Sequence, residues 1–294
     1  MTVPVSVVIL TANEASNLPG CLEAVCSFTN DVVVVDSGST DRTCEIACQR
    51  GVRVYENAFE GFGAQRNWAI DHVPHRYDWI LHLDADERPT AEFVKELAQL
   101  LSSPRNEAGF YVSNRLMLGE RWLRHASGFP VYQVRLFHHA RLRFENHGHG
   151  QREIATGALG YMKEPYLHYA FSKGSKDWFE KHARYAAAEA IEYRKTAISW
   201  SQALAGLVAR EPVVRRRSLK QLSMRMPCRA LLRFGYTLFV KRAILDGRAG
   251  IAYARMLATY ESMIQCYMAA ASVGLKIEPD GVAREITANK VEQA

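Results

Sequence analysis

The sequence predicts an α/β domain with a mostly parallel sheet, followed by a helical C-terminal region. Short β-branched apolar runs recur through the first hundred residues, and segments with helical spacing separate them. From about residue 175 onward the spacing of apolar residues is helical. Alternating strands and helices are typical of doubly wound folds, in which parallel strands are buried on both faces.

Four apolar runs are the predicted strands, at residues 5–10, 32–35, 52–55 and 79–83. Helical segments lie between them, as in Leu18, Leu22 and Val25. Sheets of this kind bind ligands beyond the carboxyl ends of their strands. Polar motifs stand at those ends, with TANE after the first run, DSGSTD after the second and DADE after the fourth. We therefore expect a functional site at this edge.

The rest of the chain predicts two further parts. Residues 106–172 contain strand-like pieces such as GFYVS, VRLFHH and LGYM, and they form the second half of a sheet domain over residues 1–172 whose first half is 1–105. Residues 173–280 predict a helical, basic region, and 281–294 a tail.

Positive charge is concentrated in the helical region. From Arg210 to Arg255 there are twelve Lys and Arg residues against two acids, within a net charge of +6 for the chain. Apolar residues interleave with them, which favours a basic amphipathic surface on an anionic membrane. A solvated helix face packed on the sheet domain is the alternative. Residues 251–275 approach transmembrane length, but Arg255 and Glu261 favour a buried or interfacial helix.

Two features favour a cytoplasmic location. The opening MTVPVSVVIL runs into polar sequence with no basic region or cleavage site typical of an export signal. The six cysteines form no CxxC pair, and we expect them to be reduced thiols in the core.

The acidic run Asp84-Ala85-Asp86-Glu87 ends the fourth predicted strand. Closely spaced carboxylates repel one another unless a cation lies among them. A hard divalent cation that also takes diphosphate oxygens meets that requirement. The alternative is that Asp86 caps the helix after Pro89.

Two further motifs accompany the acidic run. Asp36 ends the second strand and can accept a hydrogen bond from a base or a ribose, while Ser39 or Thr40 is expected to cap the next helix. The segment from Gly61 to Trp68 is a glycine-hinged turn that starts a helix carrying Arg66, where an anion would be favoured.

The chain resembles the family 2 glycosyltransferases of GT-A fold, which have a Rossmann-like sheet. The motifs VSVVILTANEASNLPGCLEAV, VVVVDSGSTDRT, FEGFGAQRNWAI and DWILHLDADERPT carry the resemblance over about residues 3–170, and LDGRAG at 245–250 extends it weakly. The branch it looks most like is that of lipopolysaccharide-core and exopolysaccharide glucosyltransferases. The resemblance implies a nucleotide-sugar half at 1–105 and an acceptor half at 106–172.

The resemblance also implies roles for individual residues. These are nucleotide contacts by Thr11, Asn13 and Glu14, base or ribose contact by Asp36, base or diphosphate contact by Gln65 and Arg66, donor contact by Asp84 and Ala85, and Mg²⁺ or Mn²⁺ ligation by Asp86 with Asp84. Ser37 stands where many members have a second acid, so base recognition departs from the family pattern.

Family 2 enzymes invert the anomeric centre, so a base must deprotonate the acceptor hydroxyl. Glu153, four residues after His149, is the predicted base. Glu87 and the histidines are the other candidates for the base. If Glu87 is not the base, it is expected to be a bystander with no role of its own in the site. A separate zinc site at His147 and His149 is the other use of these histidines.

The resulting hypothesis is a metal-dependent inverting transferase that moves a hexose, with glucose favoured, from a UDP-sugar to a lipid-linked or lipopolysaccharide glycan. It is expected at the inner face of the cytoplasmic membrane. No nucleic-acid partner is expected. Two alternatives stay open. A nucleotidyltransferase would show a Gly- and Lys-rich phosphate loop near the first strand, and a basic nucleic-acid-binding protein would show a recognisable binding motif.

Overall fold

The computed structural model describes residues 2–147, 150–196, 199–209, 212–224, 226 and 228–277. The chain divides into two compact units. The first comprises Met1–Trp122 and Ser127–Ser172, and the second Leu123–Ala126 and Lys173–Ala294. The predicted 281–294 tail lies outside the described residues.

The first unit is built on a sheet. Its strands are β1 Ser6–Thr11, β2 Val32–Asp36, β3 Arg53–Glu56, β4 Trp79–Asp84, β5 Glu87–Arg88, β6 Gly109–Leu118, β7 Arg121–Trp122, β8 Tyr132–His138, β9 Leu142–His147, β10 Gly150–Ala155, β11 Leu159–Tyr161 and β12 Tyr166–His168. Among the described residues the strand order is β3-β2-β1-β4-β8-β6-β12-β5, with β7 and β11 beside β6. Strands β9 and β10 form a separate antiparallel hairpin.

Strands β1 to β4 are parallel, and their sequences explain why. They are nearly unbroken runs of β-branched residues, and the side chains of β1 and β2 are buried throughout. Such runs fit strands covered by helices on both faces. The insertion of β8, which is antiparallel to both β4 and β6, ends this parallel half.

Helices cover both faces of the sheet. They are α1 Leu18–Cys26, α2 Thr43–Gln49, α3 Phe62–His72 and α4 Ala91–Leu100. One buried cluster joins alternate strand residues such as Val7, Ile9 and Val34 to the apolar sides of α1 and α4. On the other face Val8, Val33 and the apolar side of α3 form a second cluster with the β9–β10 hairpin. The predicted α/β fold class is confirmed.

The second unit is helical, as predicted. Its helices are α5 Gly174–Thr196, α6 Trp200–Leu207, α7 Pro212–Met224, α8 Arg229–Gly235 and α9 Gly247–Ser272, with a π-helical turn at Tyr236–Val240 and a 3₁₀ turn at Ala243–Asp246. α9 packs against α5 and α8, and a small buried cluster includes Ala186, Met224 and Ile264.

The motif at 245–250 has a structural role in this unit. The Asp246 carboxylate accepts hydrogen bonds from the backbone N–H groups of His125 and Ala126 and lies 2.8 Å from His125 Nδ1. A Cβ on Gly250 would meet the Ala243 carbonyl oxygen, so only glycine fits there.

Two expectations are corrected or qualified here. All six cysteines are free, but Cys21 alone is buried, so most of them are not core thiols.

Among the helices of the described ranges, none is long and apolar enough to cross a membrane. The side chains of Arg216, Arg217 and Lys220, part of the predicted basic amphipathic surface, lie outside the described residues.

Candidate active site

The predicted strand-end residues lie side by side at the carboxyl edge of the parallel strands. The register pairs Thr11 of β1 with Asp36 of β2, and Leu10 of β1 with Asp84 of β4. Parallel strands end at the same edge of a sheet, so these positions form one rim.

Asp84 is held between two buried arginines. Its Oδ2 lies 2.8 Å from Arg135 Nη2, and its Oδ1 lies 3.3 Å from Arg66 Nη2. Arg66 comes from α3, and Arg135 comes from the antiparallel strand β8. Three elements therefore meet at the end of β4, and β8 is distant in sequence from the other two.

Glu87 is part of this network. Its side chain is 1% exposed, and it forms an ion pair with Arg135. Its second oxygen accepts a hydrogen bond from the Asp84 backbone N–H at 3.0 Å. The expectation that Glu87 is a bystander is wrong, because its charge balances Arg135 and its hydrogen bond fixes the Asp84 backbone.

The pKa values follow from this packing. Burial raises the pKa of Asp84, but Arg135 and Arg66 outweigh burial and hold it well below its usual range. Burial raises the pKa of Glu87 above its usual range, in spite of Arg135. Burial and the charge of Arg135 lower the pKa of Arg66 to about 10. Both arginines are still cationic at neutral pH.

Each arginine keeps one nitrogen without a protein partner. Among the described residues, Nη1 of Arg66 and Nη1 of Arg135 have no hydrogen-bond partner and are buried. An unsatisfied buried donor is costly, more so when charged. These two nitrogens are suited to an anion oxygen that the protein itself does not supply.

Asp86 lies beside a histidine from the other end of the domain. Its Oδ2 is 3.4 Å from His168 Nε2, and each side chain is about a quarter exposed. The contact arises because β5 pairs with β12, which sets Glu87 opposite His168. Burial lowers the pKa of His168, but the hydrogen bond and charge of Asp86 outweigh burial and raise it.

The helix-cap explanation of Asp86 is wrong. The helix that follows Pro89 is capped by Thr90, whose side chain accepts a hydrogen bond from the Phe93 N–H. Ala85, between the two aspartates, is 2% exposed and packs in the core. The strand end thus directs Asp84 and Asp86 to different partners.

Asp36 is satisfied by neutral donors. Its Oδ1 accepts from Thr11 Oγ1 at 2.7 Å and from Ser39 Oγ at 2.6 Å, and its Oδ2 accepts from the Ser39 N–H at 2.7 Å. Burial raises its pKa, and these hydrogen bonds lower it to a larger extent. Neither Ser39 nor Thr40 caps α2, which begins after Arg42, so that expectation is wrong.

Asn13 and Glu14 link the first strand end to the second. Asn13 has a left-handed backbone with φ of 54°, and its Oδ1 accepts from the Thr40 N–H at 2.8 Å. The Glu14 N–H donates to Thr43 Oγ1, and the Glu14 carboxylate accepts from Asn17. These contacts hold the two loops at a fixed spacing.

Gln65 and Arg66 are neighbours on α3 with different surroundings. Gln65 is 1% exposed. It donates to Ser37 Oγ at 3.1 Å and accepts from Asn57 Nδ2 at 2.7 Å, so it joins the ends of β2 and β3. Arg66 Nε donates to Gln151 Oε1 at 2.6 Å, so it contacts the β9–β10 hairpin.

The glycines of the α3 motif allow close contact with the β9–β10 hairpin. A Cβ on Gly63 would lie 2.6 Å from the Glu145 carbonyl carbon, so the helix can approach this backbone only with glycine. The Gly63 N–H donates to Asn146 Oδ1, and Asn67 exchanges two hydrogen bonds with the Phe144 backbone. This docking holds the hairpin next to Arg66.

The hairpin carries the predicted base. Glu153 lies on β10 two residues after Gln151, so the two side chains share a face about 7 Å apart. Its carboxylate accepts a hydrogen bond from the Tyr111 hydroxyl, and it raises the pKa of Tyr111 to about 12. His149 and the side chain of His147, needed for a zinc site, lie outside the described residues.

The sheet domain matches a known family over more than half of the chain. The profile described as Glycosyl transferase family 2 covers residues 6–166, which includes the rim residues above except His168. The chain belongs to glycosyl transferase family 2. For this family 2 chain the strand order β3-β2-β1-β4 fits the expected GT-A fold, and the membership favours sugar transfer over the nucleotidyltransferase and nucleic-acid alternatives.

Curated relatives are similar to part of the chain. An uncharacterized glycosyltransferase of Rickettsia bellii is 31% identical over 121 residues, which are 41% of this chain and 40% of the relative. The lipopolysaccharide core biosynthesis glycosyltransferase LpsC of Rhizobium meliloti is 29% identical over 117 residues, 38% and 42% of the two chains. The chain thus spans about two fifths of the length of these relatives.

Solved structures are similar at a lower level. Glucosyl-3-phosphoglycerate synthase from Mycobacterium tuberculosis, crystallised with Mn²⁺, UDP-glucose and phosphoglyceric acid, is 20% identical with a TM-score of 0.37. The similarity covers 49% of this chain and 61% of that one.

Three contributors to the site were not assigned by the sequence. Arg135 was visible only as part of an RLF strand, His168 only as one of several histidines, and Gln151 only as a residue between His149 and Glu153. Each reaches the rim through strand pairing or hairpin docking that joins distant residues. The donor, metal and base roles expected for the rim residues stay predictions.

Proposed function

We propose that the chain is a metal-dependent, inverting hexosyltransferase that takes its sugar from a UDP-sugar, with glucose the favoured hexose. The supporting observation is the charge arrangement at the end of β4. Two buried arginines neutralise Asp84 and each retains an unpartnered nitrogen, while Asp86 and His168 lie next to them and are partly exposed. A nucleoside diphosphate with a divalent cation would complement these groups.

Asp86 and His168 fit a divalent metal. Their facing atoms are 3.4 Å apart and reach solvent, and no group of three or more His, Cys, Asp or Glu side chains suited to a metal occurs within the described part of the chain. Mg²⁺ and Mn²⁺ tolerate few protein ligands when phosphate oxygens and water supply the others. Asp84 can contribute as well, since a carboxylate oxygen has two lone pairs. The metal would neutralise charge on the leaving diphosphate.

The donor nucleotide is proposed to lie along the ends of β1 and β2. Thr11, Asn13 and Glu14 would line one side of it, and Asp36 the other. Because the oxygens of Asp36 already accept three hydrogen bonds, any contact of this carboxylate with uracil or ribose must use a remaining lone pair. Gln65 would stabilise the loop after β2, and Arg66 would bind the diphosphate.

Glu153 is the proposed base that removes the proton of the acceptor hydroxyl. It shares a strand face with Gln151, which contacts Arg66 and through it the Asp84 rim. An inverting transfer needs the base on the side of the sugar opposite the leaving diphosphate. The Tyr111 hydrogen bond orients the carboxylate.

The acceptor is proposed to be a lipid-linked or lipopolysaccharide glycan, reached at the inner face of the cytoplasmic membrane. The support is the similarity to a lipopolysaccharide core biosynthesis glycosyltransferase over part of the chain.

A donor screen tests this function. The full chain is incubated with Mn²⁺ or Mg²⁺ and a panel of nucleotide sugars, and release of nucleoside diphosphate is followed. We expect turnover with a UDP-hexose, a loss of at least about a hundredfold in Asp86→Asn, and a similar loss with chelator. Asp78→Asn is the matched control, because Asp78 precedes the opposite end of β4 and is 76% exposed. Full turnover by Asp86→Asn would rule out the proposed metal role.

A second measurement tests the base. Glu153→Gln should keep its affinity for UDP in a calorimetric titration and lose transfer. Unchanged transfer would assign the proton acceptor elsewhere. Reduced UDP affinity would point to a donor-binding role instead.

A further inference from the structure

One surface of the second unit exposes apolar side chains on a helix. α8 runs directly into the π-helical turn, so Arg229–Gly235 and Tyr236–Val240 form one helical stretch. Large apolar side chains along it are solvent-exposed. They are Leu231 at 71%, Leu232 at 49%, Tyr236 at 46%, Phe239 at 67% and Val240 at 67%. Leu232, Tyr236 and Phe239 are four and three residues apart, the spacing of one helix side.

Three polar side chains of the same stretch are buried or partly buried. Arg229, Arg233 and Thr237 recur every four residues, and Thr237 is fully buried. Arg229 forms an ion pair with Glu261 of α9, and Arg233 Nε lies 4.0 Å from the same carboxylate. The packed side of this stretch is therefore partly polar and large apolar side chains are left exposed, unlike an ordinary surface helix, whose apolar side packs inward.

Exposure continues into the next turn, where cations join the apolar residues. Ile244 and Leu245 are 51% and 57% exposed, and Arg242 and Arg248 are exposed. Lys241 is half-buried, and burial and the charge of Arg233 lower its pKa. Residues 228–245 contain no Asp or Glu in the sequence. We name the seven residues Leu231, Leu232, Tyr236, Phe239, Val240, Ile244 and Leu245 the apolar face.

We infer that the apolar face, with Lys241 and Arg242 at its edge, is a docking surface for an anionic lipid bilayer. Exposed apolar patches of this kind mark interaction sites. Leu, Phe and Tyr side chains suit the boundary between headgroups and acyl chains, and nearby cations attract anionic lipids.

The charges favour a bilayer over a second copy of the chain. A symmetric contact through this surface would offer Lys241 and Arg242 no acid from residues 228–245 of either copy as a partner. An anionic bilayer offers both the apolar phase and the opposite charge. Within the helical, basic region predicted at residues 173–280, the inferred membrane contact lies at residues 231–245.

This inference uses the second unit alone and does not rest on sugar transfer. Its test therefore contains no donor sugar, and its failure would leave the proposed reaction intact. The probe is flotation of the full chain with vesicles of phosphatidylcholine, with and without phosphatidylglycerol.

We expect flotation with the anionic vesicles and a strong decrease with added salt. Leu231→Ser combined with Phe239→Ser should abolish flotation. Lys241→Gln combined with Arg242→Gln should lower the partition coefficient about fivefold for each charge removed. Neither pair belongs to the rim residues of the first unit, so UDP affinity should be unchanged in both.

Two matched controls test whether flotation depends on where the apolar residue or cation lies, rather than on the mere loss of one. Val273→Ser removes an apolar side chain that is 78% exposed beyond Ser272, the last residue of α9, and should float normally. Lys176→Gln removes an exposed cation of α5 and should also float normally. Thermal melting of each variant verifies folding.

Three outcomes would overturn the inference. One is normal flotation of the Leu231 and Phe239 double variant. Another is loss of flotation in the Val273 or Lys176 control to the same extent. The third is a wild-type dimer in sedimentation that the double variant converts to a monomer, without vesicle binding, which would assign the surface to a second copy.

Discussion

Asp36 and Asp84 each end a buried parallel strand, yet they have opposite kinds of partners. Asp36 accepts hydrogen bonds from the neutral groups of Thr11 and Ser39, which lie near it in the first fifty residues. Asp84 is bound by Arg66 and Arg135, which arrive from other elements. Asp36 therefore stabilises the loops next to it, whereas Asp84 is the centre of a charged network at the same edge of the sheet.

The difference shows where the charge needed for chemistry lies. Neutral donors satisfy Asp36 and hold its pKa low without bringing in a cation. The arginines around Asp84 bring two positive charges, and the carboxylates of Asp84 and Glu87 together balance both. Under the proposed function, a diphosphate would bind at the end of β4 through the unpartnered Nη1 donors of the two arginines, and the end of β2 would shape the pocket.

The largest effect is expected from removal of Arg135. Arg135→Met leaves Glu87 and part of Asp84 without a buried partner, and breaking such a pair is expected to destabilise the protein by about 3–5 kcal/mol. Urea unfolding measures it. Arg42→Met is the control, because the Arg42–Glu45 pair has the same charges on the surface and should contribute little to stability. Equal losses in the two variants would contradict the buried-network description.

Gly63→Ala tests the long-range support of Asp84. The new Cβ would meet the Glu145 backbone, so α3 and the hairpin must separate, at a cost of about 1–3 kcal/mol. Gln151 would then lose Arg66, and transfer should fall together with stability. Gly157→Ala is the control, since its Cβ would find neighbours no closer than 3.6 Å. An unchanged melting temperature and rate in Gly63→Ala would show that the docking does not support the site.

Asp36→Asn tests the hydrogen bonds by which Asp36 stabilises the loops next to it. The carboxamide nitrogen would face a donor from Ser39 or Thr11, and we expect a loss of about 1–2 kcal/mol at neutral pH. Because the folded pKa of Asp36 is below its unfolded value, its stabilisation is present above about pH 4 and is lost as the pH falls through the folded pKa. The gap in unfolding free energy between wild type and variant should therefore narrow below about pH 4. A gap that widens there would reverse the assigned sign.

The strands and the rim were predictable because their signals are local. The runs at β1, β2 and β4 are unbroken and β-branched, and the polar residues at their ends follow directly in the chain. Asp84 and Asp36 could thus be identified from neighbouring letters alone. The glycines of the α3 motif were recognised as special, but their reason, the approach of the Glu145 backbone, depends on a residue more than eighty positions away.

The partners of Asp84 and Asp86 were not predictable in the same way. Arg135 lies near Asp84 only because β8 inserts antiparallel beside β4, and no spacing in the sequence encodes that pairing. His168 meets Asp86 only because β12 pairs with β5. Glu87 is adjacent to the motif, yet its burial and ion pair follow from Arg135, so its role was hidden as well.

The smallest effect on stability is expected at the edge of the charged network, where Tyr111 donates a hydrogen bond to Glu153. Tyr111→Phe removes the donor but leaves the carboxylate, and loss of one hydrogen bond to a charged group should lower transfer by about tenfold to a hundredfold. The ring still stacks on Tyr161, so stability should change little. Transfer assays beside Glu153→Gln give the comparison. A Tyr111→Phe loss as complete as that of Glu153→Gln would make the tyrosine hydroxyl itself a participant in proton removal, and the assignment of Glu153 as sole base would be wrong.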